Sequence, residues 1–195
     1  MKSSRNFFQL IVFLLIFGLS AFAQTAPSDA RQFSKDGLSF NYPAGWSFND
    51  TSNPDAQQMT FGRADSDAQI TVFVFRTLVT TAEKIAEAKR VLVDKYVAST
   101  TKSFEQAGAH PSSSPTTAEI SGAKAEGVKI RAALDGVPGI AEIDWAVVGQ
   151  RLVVLTFLGP DKAVLKATPA WEAIRNTIKI EAPAAQPKPT PRPKL

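Results

Sequence analysis

Two stretches of this sequence are apolar on both phases of a period-two repeat, and they narrow the fold more than any other feature. Within residues 69–78, Ile70, Val72 and Val74 fall on one phase while Phe73 and Phe75 fall on the other. Residues 152–158 are likewise apolar on both phases. Successive side chains of a strand point to opposite faces. Strands of this kind must therefore lie inside a sheet that is covered on both sides.

The remaining punctuation supplies the rest of the sheet. Leu38, Phe40 and Tyr42 alternate with polar residues, as in a half-buried strand, and Pro43-Ala44-Gly45 then turns the chain. Trp46 and Phe48 resume the alternation, and residues 58–63 read as a further strand before a turn at Ala64-Asp65-Ser66-Asp67. In the second half, Ser121-Gly122 and Asp135-Gly136 are hairpin turns, and Gly149-Gln150 fits a two-residue loop with glycine leading. They separate strands at 116–120, 123–134, 140–148 and 151–158.

Two helices are expected. The first spans residues 81–107, capped by Thr80 with Glu83 completing a capping box, and carries Ile85, Ala88, Leu92 and Tyr96 as its apolar stripe. Gly108 offers its stop, and its last turns should be irregular. The second begins at Pro169 with Thr168 as cap and presents Trp171, Ile174 and Ile178 inward. The fold class is thus α+β, an antiparallel β-sheet flanked by helices.

The two ends are different material. Residues 1–23 read as a secretory signal peptide: Lys2 and Arg5 precede an apolar run that closes on Ala21-Phe22-Ala23, and cleavage is expected after Ala23. The run is shorter than the roughly 20 residues of a membrane-spanning helix, so the mature form should carry no transmembrane anchor and work in the periplasm or outside the cell. Residues 24–30 form a polar lead-in, and 31–181 the domain. Residues 182–195 alternate proline with polar residues and read as an extended, disordered tail. Lys188, Arg192 and Lys194 are the tail residues that would make a weak electrostatic contact with an anionic surface.

Charge and composition exclude several functions. Without the signal, 20 bases face 18 acids, and without the tail cations the balance is −1. A nucleic-acid partner would call for a basic face, so none is expected. The chain has no cysteine and a single histidine, His110, which rules out ordinary zinc sites. His110 lies in a Pro- and Ser-rich loop, and no G-x-S-x-G turn offers it a nucleophile. Asp65 and Asp67, even with Asn49, Asp50 and Asp55, lack the spacing of a calcium loop and read as turn residues. No glycine-rich phosphate loop is present, and Trp46, Trp145 and Trp171 sit on apolar phases, as core residues do. No catalytic, cofactor or metal residue is singled out, and none of the 18 acids is marked as one of a catalytic pair.

Residues 37–46, Gly-Leu-Ser-Phe-Asn-Tyr-Pro-Ala-Gly-Trp preceded by Phe33, resemble the opening hairpin of the PsbP-like superfamily, the α/β/α sandwich of PsbP, Mog-type, DcrB and LpqN-like proteins. The order of elements agrees over about residues 31–181. The resemblance implies that fold, and a habit of binding partners rather than catalysing reactions. The chain departs from the many bacterial relatives that are lipoproteins, since it has no cysteine to lipidate. The function expected is a non-catalytic secreted or periplasmic module that binds a protein partner or assembly at the cell envelope. Two alternatives stand beside it: a carrier of a small apolar ligand between helix and sheet, and a hydrolase with an unrecognised carboxylate site.

Overall fold

The computed structural model describes residues 29–181. The signal segment with its cleavage point after Ala23, and the tail with Lys188, Arg192 and Lys194, lie outside the described residues.

Two antiparallel sheets form. The larger has seven strands in the order β3–β4–β5–β9–β8–β7–β6. These strands are β3 (Ser47–Asp50), β4 (Ala56–Arg63), β5 (Ser66–Leu78), β6 (Ser112–Ile120), β7 (Ala123–Leu134), β8 (Val137–Val148) and β9 (Arg151–Pro160). The smaller joins β1 (Ala30–Lys35), β2 (Leu38–Pro43) and β10 (Lys179–Ile180) in the order β1–β2–β10. Between β5 and β6 the chain forms α1 (Ala82–Ala88), a π-helical turn (Lys89–Val93) and α2 (Asp94–Gln106), and α3 (Asp161–Thr177) follows β9.

The two doubly apolar strands are neighbours at the middle of the large sheet, with Ile70 opposite Phe157, Val72 opposite Leu155 and Val74 opposite Val153. Both faces are covered, as such strands require. On one face these residues pack against α3, through Ala167, Trp171 and Ile174, and against Phe33, Leu38 and Phe40 of the small sheet. Trp171 stacks on Phe157 with ring centres 5.2 Å apart, and Phe40 meets Phe61 edge-on at 5.5 Å. On the other face Leu152 and Val154, with Phe73 and Phe75, pack under Leu92, Val93 and Tyr96. All three tryptophans are buried.

Several details differ from the sequence reading. The opening hairpin is β1–β2, turning at Asp36-Gly37, whereas Pro43-Ala44-Gly45 carries the chain from the small sheet to the large one. The Gly149-Gln150 loop places both residues at positive φ, 54° and 65°, so it is the turn type that bends both central residues rather than glycine alone. Thr81, not Thr80, caps α1, its hydroxyl accepting from the Lys84 amide at 3.3 Å. Val79 is buried and its amide bonds to the Gln150 carbonyl, so the chain needs one further residue to leave the sheet. The expected irregularity sits in mid-helix, at the π turn, rather than in the last turns. Finally, α3 starts at Asp161 and runs through Pro169. The carbonyl that Pro169 leaves unpaired belongs to Leu165, which is exposed to water, and Val164 and Ala167 extend the buried stripe back past the proline.

Candidate functional site

Helix α1–α2 lies loosely on its face of the sheet. Over the whole stretch from Ala82 to Gln106, Val93 is the one fully buried side chain. The π turn adds a residue to the helical repeat and so rotates the apolar stripe. Ile85, expected to face inward, is exposed, and Val93 takes the inward position. Beyond Val97 the residues that line the space over the sheet are Thr100, Ser103, Phe104 and the C-cap Ala107, small or polar except for Phe104. Opposite them the sheet offers Ala132, Gly139 and Ala141. Small residues on both sides leave a gap.

That gap is a groove of about 500 Å³ between α2 and the end of the sheet formed by β7, β8 and β9. Phe104, Leu158 and Ala141 form its apolar walls, and Leu134 and Val137, at the tip of the β7–β8 hairpin, rim its mouth. Both rim residues are exposed. Among the described residues no charged side chain lines it. Its polar feature is a pair on the floor: Thr156 Oγ1, buried on β9, donates to Tyr96 Oη at 3.2 Å. The Tyr96 ring is held edge-on against Phe73, with centres 5.5 Å apart. Tyr96 also lines a second cavity of about 300 Å³, walled by Phe73, Phe75, Val91, Leu92 and Val154 with Lys95 at its edge. It is thus common to the two spaces.

The titratable groups gather elsewhere. Asp144 is completely buried on the opposite face, beside α3, and burial together with the neighbouring Glu142 pushes its pKa up to about 6. Arg175 approaches it at 3.9 Å, and neither carboxylate oxygen has a hydrogen-bond partner among the described residues. Gly127 lies directly opposite on β7, and a Cβ there would collide with Asp144 Oδ1 and Thr116 Oγ1. Glu142 pairs with Lys129 at 2.8 Å. One carboxylate, one guanidinium and one hydroxyl in a closed interior offer no access to a substrate.

The residues weighed as chemistry in the sequence are dispersed. His110 is exposed between α2 and β6. Arg63 grips Asp65 with two hydrogen bonds within the β4–β5 turn, next to a shift of register at Gly62-Arg63, and Asp67 already belongs to β5. Asp50 is engaged by Lys35 and by the Ser52 amide, which hold its carboxyl well below the usual range. Asn53 Oδ1 accepts from the amides of Asp55 and Ala56 at 2.9 Å. The Ser52 and Asn53 contacts are local turn bonds, and the Lys35–Asp50 pair ties β1 to β3. Among the described residues no group of three or more His, Cys, Asp or Glu side chains is placed to hold a metal ion. The groove residues were not singled out in the sequence. The available signal was the lapse of the helical apolar stripe after Tyr96.

No model of a known protein family matches this sequence, nor does any curated protein. Solved structures do. The solution structure of cyanobacterial PsbP (CyanoP) from Synechocystis sp. PCC 6803 superposes with a TM-score of 0.53 at 12% identity, over 84% of this chain and 99% of that one. A crystal structure of a protein from Bacteroides thetaiotaomicron VPI-5482 superposes with a TM-score of 0.54 at 13% identity, over 80% of this chain and 50% of the other. The chain therefore has the PsbP-like fold.

Proposed function

We propose that the chain is an exported, non-catalytic binding module of the cell envelope, and that it carries a small apolar ligand in the groove under α2. The observation that carries the reading is the groove itself, about 500 Å³ of space with an uncharged lining and one polar pair on its floor. Ligand sites have this character: a concave, mostly apolar volume of roughly 300–1,000 Å³ with few placed polar groups. Among the described residues no carboxylate lines the groove, so it lends nothing to the hydrolase alternative. The signal-like residues 1–23 support export, and no described helix is long and apolar enough to cross a membrane. Native mass spectrometry of the protein isolated gently from the envelope should show a bound mass. Bare protein alone would contradict the carrier reading.

The expected docking on a protein partner or assembly keeps support from one observation, the exposed apolar pair Leu134 and Val137 at the groove mouth. On that reading a photoreactive side chain at Val137 gives one recurrent protein adduct in the envelope, which a charged residue at Leu134 abolishes. Adducts scattered over many proteins would oppose it. In the tail, Lys188, Arg192 and Lys194 would add a contact with anionic surfaces that is weak at physiological salt. Deleting residues 182–195 should then reduce co-sedimentation with anionic vesicles at low salt, and no change would remove that role.

A further inference from the structure

The chemistry of the groove narrows what it can hold, an inference that rests on the carrier reading above. We propose that its ligand is a neutral, mainly hydrocarbon molecule with one hydrogen-bond acceptor, anchored on the Tyr96 hydroxyl.

Three observations converge. First, among the described residues no lysine or arginine lines the groove, and Lys95 lines the second cavity instead. An ionised carboxylate or phosphate pushed to its floor would lose its water without gaining a countercharge. Ionised headgroups are thereby excluded from the floor of the groove.

Second, the floor offers one directed polar contact. Thr156 spends its hydroxyl hydrogen on Tyr96 Oη at 3.2 Å. A phenol both accepts and donates, so the Tyr96 hydrogen is left for a ligand oxygen. The position of the phenol is well defined: its ring rests edge-on against Phe73, and its helix turn is closed by Thr100 Oγ1, which donates to the Tyr96 carbonyl at 2.9 Å. An ester, ketone or ether oxygen satisfies such a donor, while a plain hydrocarbon leaves it unpaired in an apolar place.

Third, the space suits a chain. Tyr96 lines both the groove of about 500 Å³ and the cavity of about 300 Å³. The anchor therefore sits where a molecule could bear its oxygen with hydrocarbon running to either side.

The test uses Nile red, a neutral apolar dye, as reporter on the purified protein, displaced in turn by methyl dodecanoate, dodecane and dodecanoate. The pH is kept where the acid is fully ionised. The ester should compete at about tenfold lower concentration than the hydrocarbon, the value of one hydrogen bond, and the carboxylate should compete worst. Tyr96→Phe keeps the ring and its packing, so it should erase the preference for the ester while leaving dodecane unchanged. An ester preference that survives Tyr96→Phe, or a carboxylate that competes as well as the ester, would overturn the proposal while leaving the groove as a binding site. Failure of the dye and of every competitor to bind would remove the carrier reading together with it.

Discussion

Asp144 lies fully buried between β8 and α3 with a pKa pushed up to about 6 by burial. In the unfolded chain the same carboxyl titrates near about 3.9. Between roughly pH 4 and 6 the folded state thus binds more protons than the unfolded one, and its stability falls as pH rises through that window. Above it the buried carboxylate costs on the order of 2 kcal/mol, after the help it receives from Arg175. Asp144→Asn is accordingly expected to stabilise the protein by about 1–2 kcal/mol near pH 8 and to change little near pH 4. Urea unfolding of both forms at the two pH values checks this, and equal curves at pH 8 would refute it. The residue was one acid among 18 in the sequence. Nothing local marks it, because its burial comes from α3, and its room comes from Gly127 on the neighbouring strand.

At the scale of elements, helix α1–α2 is the weakly seated one. Its cap is assigned to Thr81 by the position of buried Val79, a tertiary constraint that the neighbouring Thr80-to-Glu83 spacing does not reveal. Thr81→Ala should therefore cost about 1 kcal/mol and Thr80→Ala less than about half of that, read from denaturation midpoints. Equal effects would return the cap to Thr80. With Val93 alone fully buried, the helix should also open more readily than α3, which buries Val164, Ala167, Ala170, Trp171 and Ile174. Amide hydrogen exchange should then be faster across residues 82–106 than across 164–174. The start of α3 was misplaced because Pro169 resembles a first-turn proline; only the surface position of Leu165 and the burial of Val164 and Ala167 explain how the helix runs through it.

Across the whole molecule, the architecture was written in local pattern and the groove was not. Doubly apolar residues 69–78 and 152–158 demanded an interior position with a layer on each side, and they became β5 and β9, paired at the middle of the sheet. The turns at Ser121-Gly122 and Asp135-Gly136 delimited the β6–β7–β8 meander correctly. A groove has no such signature. It arises because Thr100 and Ser103 on α2 and Ala107 at its C-cap share a space with Ala132, Gly139 and Ala141, residues that become neighbours only when the layers close. The π turn that sets the register of α2 adds a rotation that no fixed helical period anticipates. The helical pattern recorded the lapse after Tyr96, but what filled or failed to fill the space opposite was decided by distant strands.

The claim on which this account rests is that the space under α2 is a binding site. Ala132 faces it from β7 and is half-buried, so a larger side chain there occupies the groove without entering the core on the other face. The most direct measurement is a Nile red titration of the protein and of Ala132→Phe, with thermal unfolding of both as a check on folding. Saturable binding to the protein and its loss in Ala132→Phe at an unchanged melting temperature are expected. Dye binding that is undiminished in a folded Ala132→Phe, or absent from the protein itself, would contradict it.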